Sequence, residues 1–323
     1  MKKGDPRLLV HTPAELATEY VQWAEHIQAD AGIPFGVPCV DKVMIPLRAG
    51  SLVPIIARPG HGKTSIMAYL ARNEAKRIQA RGKASSEIVV YITWEQAAEE
   101  LEAFFQASGR YSISDIAWGR VDLDEVRRAA VKRAGVPIWV IGHGIGRAGQ
   151  GVPPRMTPDL VLQAIESMEA DFGVKPTLLL FDYIQIIPIP TARERVQQVT
   201  EAPVRIKELA LRIGAPAVVG AQARREVDDR AIKIPEMRDA QWASAIGQTA
   251  DKLLSLWRPA MTEEVGAIIE LENGQKYPVT ENLLILRMLK QRGDAGRHTL
   301  AMYFEPQYLK LAELETKEID FEF

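Results

Sequence analysis

Cysteine is almost missing from this sequence: Cys39 stands alone among 323 residues. That excludes an intrachain disulfide framework and a zinc cluster built on cysteines. Histidine is sparse too, and His11, His26, His61, His143 and His298 show no metal-ligand spacing. No run of about 18 apolar residues occurs and no signal peptide is recognisable, so neither a membrane-spanning helix nor membrane attachment is expected, and a cytoplasmic location follows by default. Neither sign of charge dominates. The formal net charge is −2 and the pI is near 6.3, so bulk electrostatics do not announce a nucleic-acid binder. Such contact would need local basic loops, or a ring of subunits concentrating them. Internal repeats and low-complexity blocks are absent as well. What remains is an ordinary globular composition, 47% hydrophobic and 25% charged. The length suits one large domain, or one domain with a small appendage.

Against that plain background one stretch stands out: Ala57-Arg58-Pro59-Gly60-His61-Gly62-Lys63-Thr64. The apolar run 51–56 before it reads as a buried strand, and 65–71 after it as a helix. Strand, glycine loop, Gly-Lys-Thr and helix make a phosphate-binding P-loop. Its glycines let backbone N–H groups turn inward around a phosphate, and the helix N-terminus adds partial positive charge. Arg58, Pro59, Gly60, His61, Gly62, Lys63, Thr64 and Ser65 are therefore the expected nucleotide cradle. Lys63 would reach the β and γ phosphates, and the Thr64 hydroxyl would serve Mg²⁺. The usual first glycine is replaced by Ala57.

The rest of the chain alternates strands with helices. Thr12-Pro13-Ala14-Glu15 starts a helix, with Leu16, Tyr20, Trp23 and Ile27 at helical spacing. That helix either packs on its own domain or forms an arm that docks on a neighbouring subunit. Strands are predicted at 87–93, 136–141, 177–182, 215–222 and 252–257, and helices near 96–108, 122–134, 157–172 and 193–213. Pro203 is expected to kink or divide the last of these. The glycine-rich stretch 142–156 reads as a mobile loop. Residues 265–304 read as antiparallel strands with a turn at Glu272-Asn273-Gly274. The pattern predicts an α/β fold, a mostly parallel sheet flanked by helices with antiparallel strands at its C-terminal end. Three regions are expected: an N-terminal helical arm or linker at 1–35, the P-loop α/β domain at 36–310, and an acidic tail at 311–323.

A P-loop alone says only that phosphate is bound. Hydrolysis also needs an acid at Mg²⁺ and a group orienting water. Asp182 ends an apolar strand, where ligands of a parallel sheet gather; otherwise such an Asp is a cap or turn residue. Glu95 ends the second strand and is the candidate for activating water, or else a surface acid at a helix start. Gln222 ends the strand after Asp182, either sensing the γ-phosphate or simply satisfied in place.

These residues together resemble the C-terminal ATPase domain of DnaB-type replicative DNA helicases, within the RecA-like ATPases. The matching segments are 57–64, Tyr-Ile-Thr-Trp-Glu at 91–95, Leu-Leu-Leu-Phe-Asp-Tyr-Ile-Gln at 178–185, Val-Val-Gly-Ala-Gln-Ala-Arg-Arg at 218–225 and Leu-Lys-Gln-Arg-Gly at 289–293. They occur in the family's order, within about residues 35–310. The resemblance implies ATP and Mg²⁺ as cofactors, Glu95 as catalytic base and Asp182 as the Walker B acid. It implies that Gln185 and Gln222 link the nucleotide state to DNA-contacting loops, and that Lys290 and Arg292 form a finger entering the neighbouring subunit's site. A homo-oligomer, a hexameric ring, follows from the same resemblance. Full-length members carry a separate helical domain before this one; only about 35 residues precede the core here, and 142–156 and 260–282 look like insertions. A phage, plasmid or mobile-element version is therefore expected, with a replication or mobile-element protein as partner.

Single-stranded DNA is the expected substrate track. Arg193 and Arg195 follow the Asp182 strand, and Arg224, Arg225 and Arg230 follow the Gln222 strand. In a RecA-like ring both loops face the centre, where repeated positive charge would follow the backbone. Otherwise these are solvated loop charges, and Asp228 and Asp229 dilute the second group. Two functions are thus open: an ATP-driven single-stranded DNA translocase or helicase, or a nucleotide switch that controls a protein partner without unwinding.

Overall fold

Apolar runs too short for helices form the centre of the molecule. The computed structural model describes residues 10–29, 31–107, 110–147, 154–190, 195–240, 243–294 and 296–314, with backbone alone at 195, 196, 198, 199, 243 and 244. In chain order the strands are β1 (Leu52–Ala57), β2 (Glu87–Thr93), β3 (Ile138–Ile141), β4 (Lys175–Asp182), β5 (Ala217–Gln222), β6 (Lys252–Trp257), β7 (Ile268–Glu270), β8 (Lys276–Pro278), β9 (Leu283–Gln291), β10 (His298–Glu305) and β11 (Lys310–Glu313). Nine of them form one sheet in the order β11-β10-β9-β6-β1-β5-β4-β2-β3. The six from β6 to β3 run parallel. The other three are antiparallel. This is the architecture the sequence predicts, and the comparisons below agree with it. β7 and β8 pair separately as a hairpin, with Gly274 at φ 79° in its turn.

Alternation along each strand divides the core into two layers. On β1, Val53 and Ile55 face one layer with Ile66, Leu70 and Ile78 of helix Lys63–Ala80 and Leu101 and Phe105 of helix Ala98–Gln106. Leu52 and Ile56 face the other, with Val161 and Ile165 of helix Pro158–Phe172 and Ile206 and Leu209 of helix Arg195–Ile213. Each such side chain contributes about 1.5–3 kcal/mol by leaving water. That burial explains why Pro203 does not divide helix Arg195–Ile213. Ala202, Ile206, Ala210 and Ile213 are all buried and fasten both halves of the helix to the sheet.

The ends of the domain differ from the sequence reading. Ile33 exchanges backbone hydrogen bonds with Leu47 at 2.9 and 2.7 Å, and Phe35 is buried, so the body begins before residue 36. At the other end β11 completes the sheet and Leu311 is buried, because an apolar residue there covers the core beside β10. Residues 311–313 are thus sheet rather than tail; 315–323 lie outside the described residues. Helix Pro13–Ala29 buries no residue, and Leu16, Tyr20 and Trp23 are all more than half exposed. Of its residues only Ile27 is partly covered. Among the described residues no helix is long and apolar enough to cross a membrane.

Candidate active site

The carboxyl ends of β1, β2, β4 and β5 bring Lys63, Thr64, Glu95, Asp182 and Gln222 together. Sequence order hides this: β5 and β4 lie between β1 and β2, so the acids at the ends of β2 and β4 face the loop that follows β1. A cleft of about 260 Å³ is lined by Pro59, Gly60, Gly62, Lys63, Thr64, Ser65, Glu95 and Gln222, with Tyr183, Arg258 and Pro306.

The loop's glycines are fixed by geometry and by neighbours. Gly60 and Gly62 have φ of 79° and 90°, the left-handed region that favours glycine. A Cβ on Gly62 would stand 2.6 Å from the Phe304 ring. Gly62 caps helix Lys63–Ala80 with no side chain in the way, so the first helical N–H groups stay open toward the cleft.

Asp182 is 2% exposed. Its Oδ2 accepts from the Thr64 hydroxyl at 2.7 Å and from the Tyr91 hydroxyl at 3.1 Å. Its Oδ1 is buried and has no hydrogen-bond partner. Burial raises its pKa, while Thr64, Tyr91 and Lys63 hold it down. Burial likewise lowers the Lys63 pKa, against the pull of Asp182 and Glu95. Glu95 is raised by burial and then by the Asp182 charge, opposed by Lys63. Two carboxylates and one ammonium thus share one recess. Mg²⁺ prefers hard oxygen ligands and completes its shell with phosphate and water. The hydroxyl of Thr64 and the unpartnered Oδ1 of Asp182 fit that requirement.

The segment carrying Glu95 is braced from two sides. The Thr93 hydroxyl accepts from the Gln96 N–H at 3.1 Å. Trp94 stacks on Phe181 at 6.2 Å, and its indole N–H donates to the Met156 carbonyl at 2.8 Å. Gln222 is tied to Gln185 by two hydrogen bonds of 3.2 Å between side chain and backbone.

Other expected residues stand elsewhere. Arg58 does not line the cleft. Its guanidinium turns to Asp228, with Nε–Oδ distances of 3.1 and 2.9 Å, and to the Ala223 carbonyl. His61 is 4% exposed and also turned away. In both cases a partner from a distant strand end outcompetes the cleft. Lys290 and Arg292 lie at the opposite end of the sheet, because β9 runs antiparallel to β6 and Gln291 pairs with Lys252 at the start of β6. A six-residue strand spans roughly 20 Å, so neither reaches its own P-loop. Lys290 donates to the Gly247 and Ala250 carbonyls at 2.8 and 2.6 Å. Arg292 pairs with Asp251 at 3.1 Å and is 61% exposed. Arg224 and Arg225 are exposed on the loop after β5. Arg230 is committed to Asp239, at 2.6 and 2.5 Å. Arg193 lies outside the described residues, as does the side chain of Arg195. Sequence reasoning gave no role to Tyr91, Tyr183, Arg258 or Pro306, although Tyr91 and Tyr183 lie inside matched segments and Arg258 directly follows β6.

Comparison with known proteins gives a consistent picture. A probable replicative DNA helicase of Trieres chinensis is 25% identical over 296 residues, covering 89% of this chain and 58% of that protein. The replicative DNA helicase DnaC of Bacillus subtilis is 24% identical over 294 residues, covering 88% and 57%. The chain therefore spans under three fifths of these relatives. A solved structure described as that of a DnaB-like replicative helicase and its interactions with primase superposes with a TM-score of 0.72 at 19% identity, over 95% of this chain and 67% of that one. At that identity the likeness shows the fold alone, a RecA-like one. The family described as the DnaB-like helicase C terminal domain matches residues 32–313, nearly the whole body of the fold, and the chain belongs to that family.

Proposed function

We propose that this chain is the motor part of a ring-shaped, ATP-driven helicase or translocase on single-stranded DNA, acting in the cytoplasm in the replication of a phage, plasmid or mobile element. The observation that carries this reading is the division of catalytic groups between the two ends of the sheet. Lys63, Thr64 and Glu95 line one cleft and Asp182 is bonded to Thr64 beside it, while Lys290 and Arg292 stand at the far end. One subunit then lacks a cation that a second copy, stacked head to tail, supplies.

In this reading Lys63 and the loop N–H groups hold the phosphates, Glu95 accepts a proton from the attacking water, and Arg292 of the neighbour meets the charge developing at the γ-phosphate. Thr64 and Asp182 hold Mg²⁺, which when bound neutralises phosphate charge. The Gln222–Gln185 pair connects the cleft to the segment bearing Arg224 and Arg225, the expected track for single-stranded DNA. The exposed apolar face of helix Pro13–Ala29 supports its reading as an arm on the next subunit of a hexamer.

The deciding experiment is ATP hydrolysis with and without single-stranded DNA. Stimulation that weakens with salt supports a motor on DNA. Hydrolysis indifferent to DNA at every salt concentration points instead to a nucleotide switch acting on a protein partner.

A further inference from the structure

One hydroxyl beside the cleft has no place in that scheme. Tyr91 is fully buried in the middle of the sheet. It sits on β2, in register with Leu180 of β4 and two residues before Thr93, which pairs with Asp182. Residues two apart share a face of a strand. The long phenol side chain therefore runs along the sheet to the strand-end carboxylate. There its hydroxyl donates to Oδ2 of Asp182 at 3.1 Å.

The arrangement is asymmetric. A carboxylate offers two oxygens with about four lone-pair sites. Both donors, Thr64 and Tyr91, converge on Oδ2, and Oδ1 receives none. Gly220 stands beside Oδ1, where a Cβ would lie 3.3 Å from that oxygen. The phenol ring is itself held: Phe105 meets it edge-on at 6.1 Å, and the Arg133 guanidinium lies 5.1 Å from the Phe105 ring centre.

We propose that Tyr91 is a positioning residue for the Asp182 carboxylate, holding Oδ2 against the hydroxyl of Thr64, which lines the phosphate cleft, and so fixing the pair that would hold Mg²⁺. This rests on the nucleotide-binding reading above. Tyr91 is buried and does not line the cleft, so its loss acts through Asp182. Without the second donor the carboxylate is free to rotate against Thr64, and the fixed geometry of the pair is lost.

The test is equilibrium binding of a fluorescent ADP by the full chain, titrated with Mg²⁺ and repeated in EDTA. Tyr91→Phe keeps the ring and removes only the hydroxyl. The Mg²⁺ concentration for half-maximal enhancement of binding is expected to rise roughly 10- to 150-fold, as for loss of a hydrogen bond to a charged group. Affinity in EDTA is expected to stay within about twofold, since the phosphate loop is untouched. Phe105→Leu disturbs the ring packing and keeps the hydroxyl; its Mg²⁺ dependence is expected to match wild type. An unchanged Mg²⁺ dependence in Tyr91→Phe overturns the proposal. So does an equal shift in both variants, or an equal loss of affinity with and without Mg²⁺. Wild-type protein that binds no nucleotide under either condition would instead remove the phosphate-site reading.

Discussion

The backbone N–H of Arg258 donates to Nδ1 of His61 across 3.0 Å, joining the end of β6 to the middle of the phosphate loop. The bond exists only while that nitrogen is unprotonated. Burial, helped by Arg258, Lys63 and Arg58, lowers the His61 pKa from 6.5 to about 4. The folded state therefore stays neutral at His61 down to about pH 4, whereas the unfolded chain takes up a proton near 6.5. Between those values the unfolded state binds more protons, so this stability is present above pH 6.5 and is lost as pH falls toward 4. The full effect is at most about 3 kcal/mol. His61→Asn keeps an acceptor and cannot titrate. Its melting temperature is expected to fall less than that of wild type between pH 7 and 4.5; parallel curves would assign the acid sensitivity to other groups.

Glu95→Gln is expected to bind nucleotide normally and to slow hydrolysis about 10²- to 10⁴-fold, the usual worth of a positioned base. The amide keeps the shape of the side chain between Lys63 and Asp182 and loses only basicity. Single-turnover hydrolysis with measured nucleotide occupancy checks this. Turnover within about threefold of wild type would move the base elsewhere.

Neutralising Arg224 and Arg225 together is expected to weaken single-stranded DNA binding and to flatten its salt dependence by about one to two units of slope. Nucleotide affinity is expected to hold, since neither residue lines the cleft. Arg230→Gln serves as the contrast. Its charge is spent on Asp239, so removal is expected to lower thermal stability more than the salt slope. Equal salt slopes in wild type and the double variant would make the exposed pair ordinary surface charge.

Lys63→Ala and Arg292→Ala are each expected to lose nearly all hydrolysis, for opposite reasons. The first lacks its phosphate cation; the second retains its own cleft and fails its neighbour's. Mixed together, they are expected to regain part of the activity, in proportion to contacts that place an intact cleft beside an intact Arg292. Differently tagged proteins verify that mixing occurs. Full activity of Arg292→Ala alone sinks the idea, as does verified mixing without recovery.

The sequence carried whatever depends on short range. The P-loop, the strands ending at Asp182 and Gln222, and the helix start at Thr157, whose hydroxyl accepts from the Leu160 N–H at 3.2 Å, could all be read locally. Properties set by strand order could not. Arg58 faces Asp228 rather than phosphate because β1 and β5 are neighbours, and 170 residues separate the pair. Tyr91 lies within the strand expected at 87–93; only the pairing of β2 with β4 reveals its polar contact. The stretch after 310 is rich in acids and read as tail, yet Leu311 falls on the covered face of an edge strand. Pro203 showed the converse: burial of the helix face overrides a local breaker.

The placement of Arg292 and the P-loop at opposite ends of one sheet makes the subunit directional, like an arrow with a point and a notch. On the proposed division of labour, a two-fold symmetric dimer joins like ends and completes no site. Head-to-tail assembly completes one site per junction, and an open stack of any length leaves one notch and one point unmatched. Only closure gives as many sites as subunits. An opened ring would therefore forfeit one site at the break, and the position of the gap would be recorded as the one cleft without a second-subunit cation.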